Sequence, residues 1–199
     1  WNDFHAMRWL AGWKQWKPPN FSSLLGASLG ASRRSDGQGS IIDTDNRTDL
    51  ALLGNGMFIL KNPNSVTPSF TRNGTFSLDD EGFLRASNDA YVMGSPLVDG
   101  LFGPTPAEID GLTSIQIPLK REDVPMSELR ILGDGHIEAS YGTEVSYPVS
   151  TVALGIFSNN NGLKELGGGI YAQTDKSGAV SLGAPSDLGS VSYTHLRAH

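Results

Sequence analysis

Apolar and polar residues alternate with a period of two along much of the chain after residue 48, and this pattern predicts strands with one buried face. The two clearest segments place apolar side chains at every second position: Ile115, Ile117 and Leu119 between Gln116, Pro118 and Lys120, and Ile137, Ala139 and Tyr141 between His136, Glu138 and Ser140. Pro118 has no N–H for a ladder hydrogen bond, so its strand is expected at a sheet edge or at a bulge.

A third segment, SYPVSTVALGIF at residues 146–157, is apolar throughout at its end, which predicts a strand buried on both faces. Turn-forming pairs separate the predicted strands: Asn55-Gly56, Asn73-Gly74, Glu81-Gly82, Asp134-Gly135 and Ser177-Gly178. The sequence therefore predicts a mainly β fold, with antiparallel strands and tight hairpins in a compact β domain.

Two stretches depart from the strand pattern. The segment NNGLKELGGG, residues 160–169, is predicted to form one short helix of one or two turns, with Asn161 near its N-cap and Gly167 as its stop. Residues 94–113 contain Pro104, Pro106 and several glycines, and we expect a long loop there.

The first 20 residues differ from the rest because they hold all four tryptophans. Trp9, Trp13 and Trp16 fall at helical spacing beside lysines, and Pro18-Pro19 would end such a helix. Three interpretations stay open: an amphipathic helix on a membrane surface, a helix that packs its aromatic face on the domain, or a segment foreign to the natural protein.

Composition narrows the function classes. The 199 residues suffice for one sizeable core or two small ones. A net charge of −6 without a basic stripe argues against a nucleic-acid partner. The lack of cysteine excludes disulfides, thiol catalysis and cysteine zinc sites. No apolar run approaches the roughly 20 residues that span a bilayer, so direct membrane insertion is not expected.

The stretch TDLALLGNGMFIL, residues 48–60, could be a phosphate-binding loop or a strand, a tight turn and a second strand. A phosphate loop needs more glycines than Gly54 and Gly56, and a Lys-Ser or Lys-Thr pair that opens a helix. Here four strand-forming residues follow, from Met57 to Leu60. We therefore predict a β-hairpin, and no cofactor or small-molecule substrate.

Clustered acidic residues and histidines are the candidates for metal ligands or catalytic groups in this sequence. The acidic clusters are Asp43, Asp45 and Asp49 in one loop, and Asp79, Asp80 and Glu81 beside Gly82. Neither has EF-hand spacing, and the second is typical of an ordinary turn. The histidines are His5, His136, His195 and His199, of which only the last two have ligand spacing, at the very end of the chain. Without a GxSxG elbow, we predict no metal site and no catalytic residues.

The segments TDLALLGNGMFIL, FTRNGTFSLDDEGFL and AYVMG resemble the signature of bacterial flagellar hook and rod proteins. This first block spans residues 48–94, and the residues that carry the resemblance are Asp49, Leu50, Ala51, Gly54, Gly56, Phe58, Thr71, Arg72, Gly74, Phe76, Leu78, Asp80, Gly82, Phe83 and Leu84. In that family a Thr-Arg-x-Gly-x-Phe hairpin follows the Gly-x-Gly segment.

A second block, residues 152–179, is similar to a later stretch of the same family and comes in the family's order. Its matching residues are Phe157, Asn159, Gly162, Leu163, Tyr171 and Gly178. Together the resemblance covers roughly residues 36–191. The chain departs from the family pattern at Met57, Ala90, Asn160 and Gly169, where Phe, Gly, Pro and Asn are usual.

The resemblance implies a structural subunit of the flagellar rod or hook, without catalysis, that assembles with copies of itself and neighbouring subunits into a tube. It implies a location in the periplasmic rod or the extracellular hook. Four regions are expected: a non-matching segment at 1–20 that could form a short helix, an extended connector at 21–47, the β domain at 48–191 and a non-matching tail at 192–199. The family's terminal helices have no counterpart here, which predicts truncation.

Two alternatives come from other classes. A β-rich binding module, such as an adhesin or a carbohydrate-binding domain, would expose Tyr91, Tyr141, Tyr147 and Tyr171 on one platform. An enzyme acting on surface glycans would bring carboxylates such as Asp80 and Glu138 together in a cleft.

Overall fold

The computed structural model describes residues 41–44, 46–142, 145–186, 191–194 and 196–198. The helix considered for residues 1–20 lies outside this range. The described strands are β1 (Ile41–Asp43), β2 (Leu50–Leu53), β3 (Met57–Lys61), β4 (Ser69–Thr71), β5 (Phe76–Leu78), β6 (Leu84–Ala86), β7 (Tyr91–Ser95), β8 (Leu97–Val98), β9 (Leu101–Phe102), β10 (Thr113–Ser114), β11 (Lys120–Arg121), β12 (Val124–Pro125), β13 (Glu128–Ile131), β14 (His136–Ser140), β15 (Ser146–Val152), β16 (Leu154–Phe157), β17 (Lys164–Gly167), β18 (Ile170–Ala172), β19 (Val180–Gly183), β20 (Val191–Thr194) and β21 (Leu196–Ala198).

A 13-stranded sheet organises the domain. Its main path runs β13-β14-β15-β7-β3-β4-β18-β17, and β5, β6, β10, β16 and β19 join at its side. Four further pairs, β1-β21, β2-β20, β8-β9 and β11-β12, form two-stranded sheets. Every pairing among the described strands is antiparallel, which confirms the predicted fold class.

Strand β3 lies between two hydrophobic cores. Phe58 and Leu60 belong to one cluster of buried side chains, and Met57 and Ile59 belong to a second. Because successive side chains of a strand point to opposite faces, a strand with four apolar residues in a row is buried on both sides. The strand predicted from Met57 to Leu60 is confirmed, and all four residues are at most 2% exposed.

The predicted hairpin between β2 and β3 is wrong in its pairing. Strand β2 pairs with β20, and β3 pairs with β4, β7 and β16. The backbone of β2 also meets the chain near Gly74, whose carbonyl accepts a hydrogen bond from the Leu50 N–H. The strand-turn-strand order is therefore as predicted, but the two strands pair with other strands and not with each other.

The predicted helix at residues 160–169 is also wrong. Only Asn160–Gly162 forms a 3-10 turn, with Asn159 as its N-cap, and residues Lys164–Gly167 form strand β17. Three glycines with positive φ, at 99°, 63° and 74° for Gly167, Gly168 and Gly169, turn the chain so that β18 pairs with β17. Pairing with β18 overrides the weak helix propensity of a segment too short to nucleate a helix.

The stretch 94–113 is more regular than the predicted long loop. It contains the hairpin β8-β9, a 3-10 turn at Ile109–Gly111 and strand β10. Asp99 and Gly100 both have positive φ, which is the geometry of a two-residue hairpin turn that an Asp-Gly pair favours.

The period-two patterns hold at most positions, with two departures: Leu119 is half-buried and Ser140 is buried. Ile137, Ala139 and Tyr141 are buried, and Ile115 and Ile117 are buried while Gln116 and Pro118 are exposed. The segment around Pro118 forms an isolated bridge between Phe83 and Gln116 rather than a full strand. Residues 146–157 form two strands, β15 and β16, interrupted at Ala153, and residues 150–155 are all buried as predicted.

Candidate functional site

The Gly54-Asn55-Gly56 segment connects β2 to β3. Gly54 has φ of 95°, a conformation that favours glycine. The Gly56 carbonyl accepts a 2.8 Å hydrogen bond from Arg72 Nη1, and a strand follows where a phosphate loop would start a helix. The segment therefore redirects the chain, and a guanidinium group holds its carbonyl.

A polar turn at residues 46–49 fixes the start of β2. The Asn46 Nδ2 donates to the Asp49 carboxylate at 2.8 Å, and the Asp49 N–H donates to the Asn46 carbonyl at 3.1 Å. Thr48 Oγ1 donates to the Phe76 carbonyl at 2.6 Å. Thr48 and Asp49 are both buried, so these hydrogen bonds offset the cost of burying polar groups.

Gly74 packs directly against the backbone of β2. A Cβ atom on Gly74 would lie 1.7 Å from the Leu50 carbonyl oxygen, far inside any allowed contact. The Leu50 N–H donates to the Gly74 carbonyl at 2.9 Å. Only glycine permits this approach, which explains the glycine of the Thr-Arg-x-Gly-x-Phe motif by contact rather than by turn geometry.

The same motif was expected to form a hairpin, and that expectation is wrong. Strand β4 pairs with β3 and β18, and β5 pairs with β6. Thr71 Oγ1 donates to the Gly169 carbonyl at 2.9 Å and accepts from the Asn73 N–H at 3.0 Å. The Asn73 Oδ1 in turn accepts from the Thr75 N–H at 3.1 Å. The segment therefore bridges β2, β3 and β18.

The Asp79 turn joins β5 to β6 as a tight hairpin with Gly82 at φ 82°. The Asp79 carboxylate accepts from the Glu81 and Phe83 N–H groups at 3.0 and 2.8 Å, and pairs with Arg85 Nε at 2.5 Å. Partial burial acts to raise the pKa of Asp79, but the hydrogen bonds from Arg85 and the two N–H groups lower it overall.

Arg85 extends this turn toward β7. Its Nη2 donates to the Tyr91 hydroxyl at 2.9 Å, and its guanidinium carbon lies 4.2 Å from the centre of the Tyr91 ring. The ion pair with Asp79 raises the pKa of Arg85. The acidic cluster at residues 79–81 is thus a structural turn, and the Asp79 carboxylate in it accepts hydrogen bonds from three donors.

In the second signature block, the loop at residues 159–162 packs against the loop at residues 174–178. The Asn159 Nδ2 donates to the Lys176 carbonyl at 2.9 Å, and Thr174 Oγ1 donates to the Gly162 carbonyl at 2.5 Å. A Cβ on Gly162 would lie 2.4 Å from the Lys176 carbonyl carbon and oxygen. Ser177, fully buried, donates to the Thr174 carbonyl at 2.8 Å.

Gly178 and Leu163 complete this second block. Gly178 has φ of 78°, and a Cβ there would lie 2.6 Å from Ser158 Oγ. Leu163 is buried in the second core. The glycines of the block are therefore required by positive φ or by close approach.

The two blocks meet across strands β4 and β18. Tyr171 of β18 pairs with Phe70 of β4, and the Phe70 and Phe157 rings lie edge to face with centroids 4.7 Å apart. In the first core, Phe58 and Phe76 make the same contact at 4.9 Å. The first block thus supplies both rings of one pair, and the second pair joins Phe70 of the first block to Phe157 of the second.

The groups proposed for catalysis or metal binding are dispersed. Within the described range, no three His, Cys, Asp or Glu residues come together in a way that could hold a metal. The side chains of Asp43, Asp45, His5, His195 and His199 lie outside that range.

Asp80 and Glu138, the two carboxylates of the enzyme alternative, lie on different elements of the fold, and His136 makes contacts of its own. His136 contacts Asp134 at 3.1 Å and stacks on Phe102 at 3.9 Å between ring centres. Asp80 is exposed in the β5-β6 turn, and Glu138 is half-buried on β14. No described helix is long and apolar enough to cross a membrane.

The four tyrosines do not form one exposed platform. Tyr141 is buried at 6% exposure and donates to the Pro118 carbonyl at 2.7 Å, and burial raises its pKa. Tyr147 packs on the first core and Tyr171 on the second. Tyr91 is covered on one side by Arg85. This arrangement removes the observation on which the binding-module alternative depended.

Sequence reasoning missed several residues that make these contacts. The sequence assigned no role to Asn46 or Arg85. Thr48 entered only as the start of a predicted strand segment, and Ser177 only as one half of a turn-forming pair. Short Asn, Thr and Ser side chains beside turns often cap nearby backbone groups, so the TDKS and DNRTD segments carried a local signal. The distant acceptor of Thr48 carried none.

Comparison with known proteins supports the resemblance. Residues 51–139 match the family described as "Flagellar hook protein FlgE/F/G D1 domain". The flagellar basal-body rod protein FlgG of Agrobacterium fabrum is 27% identical over 164 residues, covering 82% of this chain and 53% of that protein. The flagellar hook protein FlgE of Helicobacter pylori is 39% identical over 75 residues, covering 38% of this chain and 10% of that protein.

The match to rod proteins recurs in another organism. FlgG of Caulobacter vibrioides is 27% identical over 165 residues, or 82% of this chain and 53% of that protein. The chain thus spans about half the length of the rod relatives it matches. The crystal structure of Helicobacter pylori FlgE2 aligns over 78% of this chain and 42% of that one, with 15% identity and a TM-score of 0.29, a likeness that carries no argument about the fold.

Proposed function

We propose that this chain is a structural subunit of the flagellar rod and a member of the flagellar hook and rod protein family. The observation that carries the proposal is the extent of the alignments. The matches to rod proteins cover 75 to 86% of the chain, whereas the matches to hook proteins cover 38 to 40%. An alignment of 164 residues is long enough to include both signature blocks, whereas one of 75 residues is not.

The subunit works by being stacked with copies of itself and with neighbouring rod or hook subunits. Head-to-tail contacts that do not close into a ring generate a helical tube. A tube that transmits torque needs subunits that resist deformation, and two cores sharing the buried strand β3 resist bending of that strand to either side. In this role the chain lies in the flagellum and performs no catalysis.

Replacement of the aligned span in a relative tests the proposal. The chain replaces the 164 aligned residues of the Agrobacterium fabrum rod protein in a strain that lacks it. We expect recovery of swimming and of complete basal bodies in electron micrographs. Stable expression in whole cells, measured by immunoblot, separates failure to assemble from failure to fold.

A parallel replacement distinguishes rod from hook. The matching 75 residues of the Helicobacter pylori hook protein are exchanged for the corresponding residues of this chain. We expect the rod chimera to function and the hook chimera not to. Recovery with the hook chimera alone would assign the chain to the hook, and a stable rod chimera that never enters a flagellar structure would refute the proposal.

A further inference from the structure

Three Asn-Gly pairs occur in the chain, at Asn55, Asn73 and Asn161. Asparagine is thermolabile, and a following glycine exposes it to one particular reaction because no side chain blocks the approach. The glycine nitrogen attacks the asparagine Cγ, the new N–Cγ bond forms, and the Cγ–Nδ2 bond breaks. Ammonia leaves with the proton of the peptide nitrogen, and water then opens the ring to aspartate or isoaspartate.

The fold opposes this reaction at Asn161. The N–H of Gly162 donates to the Asn159 carbonyl at 3.1 Å, so ring closure would break a hydrogen bond. The Gly162 Cα is also confined, since a Cβ there would lie 2.4 Å from the Lys176 backbone. The peptide nitrogen is therefore occupied, and the backbone around it has no room to rotate.

Asn73 is held in another way. Its Oδ1 accepts from the Thr75 N–H at 3.1 Å, which holds the side-chain amide in an Asx turn. Gly74 lies against the Leu50 carbonyl and is bonded to the Leu50 N–H. Attack at this site would require both the Asx turn and the contact with β2 to break.

Asn55 lacks these restraints. It is exposed, and among the described residues neither its side-chain amide nor the Gly56 N–H has a hydrogen-bond partner. Among the described contacts, the carbonyl of the buried Gly56 accepts from Arg72 Nη1 at 2.8 Å. Because the Gly56 N–H has no acceptor among the described residues, ring closure at the Gly56 nitrogen breaks no hydrogen bond.

We propose that Asn55 is a site of spontaneous deamidation, with water as the only co-reactant, and that the folded domain directs the reaction there and away from Asn73 and Asn161. The product places a carboxylate in the connection between β2 and β3, next to the residue that Arg72 holds. Isoaspartate also adds one methylene to that connection. The inference is independent of the proposed function.

Peptide mapping by mass spectrometry of the purified full chain tests this. The protein is incubated in mildly alkaline buffer made with heavy-oxygen water, and label uptake is followed at each asparagine. We expect Asn55 to react about five- to tenfold faster than Asn73 or Asn161, which is the rate effect of one net hydrogen bond. Equal rates at the three sites, or an unlabelled Asn55, would overturn the proposal.

Two controls separate the fold from the local sequence. In concentrated urea the three sites should react at similar rates, and the same ranking in urea as in the native protein would show that the fold is not the cause. The Asn55→Gln variant should lose label uptake at residue 55, because a longer side chain closes a less favourable ring, while the rates at Asn73 and Asn161 stay unchanged. Faster labelling of those two sites in this variant would count against the assignment, since it would mean that residue 55 restrains them.

Discussion

Replacing Gly74 by alanine should destabilise the domain through one contact. The added Cβ would lie 1.7 Å from the Leu50 carbonyl oxygen, so β2 and the Gly74 segment must separate. Overpacking of this kind costs about 1–3 kcal/mol. The hydrogen bond from the Leu50 N–H to the Gly74 carbonyl, 2.9 Å in the native protein, is weakened as well, at about 0.5–1.5 kcal/mol.

One effect opposes this loss. Gly74 does not have a left-handed φ, so alanine is compatible with its backbone and restricts the unfolded chain, which stabilises by about 0.4–1 kcal/mol. The net expectation is a loss of about 2 kcal/mol in the free energy of unfolding. For an m-value of about 2 kcal/mol/M, the urea midpoint should fall by about 1 M.

Gly103→Ala is the matched control. Gly103 also lacks a left-handed φ, but a Cβ there meets the exposed Val98 side chain at 2.6 Å, which can rotate away. We expect its free energy of unfolding to stay within about 0.5 kcal/mol of the native value. The unfolding of both variants in urea is followed by far-UV circular dichroism, which reports the loss of strand structure. If Gly74→Ala were no less stable than Gly103→Ala, the close approach of β2 would not constrain this position.

Three further substitutions test the other parts of the two signature blocks. Asp79→Asn should remove a pH-dependent contribution to the free energy of unfolding. Hydrogen bonds from Arg85 and two N–H groups lower the pKa of Asp79 in the folded state. The stabilisation is therefore full above the unfolded-state pKa of about 3.9 and is lost as the pH falls through the folded-state pKa. Urea titrations of both proteins between mildly acidic and neutral pH should give a constant difference that shrinks only below about pH 4, and a difference that grows on acidification would contradict the assignment. Thr48→Val removes the 2.6 Å bond to the Phe76 carbonyl and should cost about 1–2 kcal/mol by chemical denaturation, while Thr48→Ser should keep most of it. Gly162→Ala, with its Cβ 2.4 Å from the facing loop, should cost about 1–3 kcal/mol, and a thermal melting temperature equal to that of the native protein would refute the contact.

The sequence alone predicted the class of fold and most of the buried residues in the segments with clear alternation or apolar runs. The alternation at residues 137–141 and the apolar run from Met57 to Leu60 needed only the pleat of a strand to be interpreted. The order of the two signature blocks also indicated the resemblance to flagellar hook and rod proteins before any geometry was known. These features are local, because they depend on the neighbours of each residue along the chain.

Tertiary structure decided which strands pair and why particular residues are needed. The hairpin predicted around Asn55 failed because a turn signal specifies a change of direction and not a partner, and β2 finds β20 instead. The helix predicted near Asn161 failed because pairing with β18 stabilises an extended segment whose helix propensity is weak. Gly74 looked like a turn glycine, but it is required by a carbonyl 24 positions earlier, at Leu50. Such contacts between distant residues leave no periodicity in the sequence, so only the folded chain reveals them.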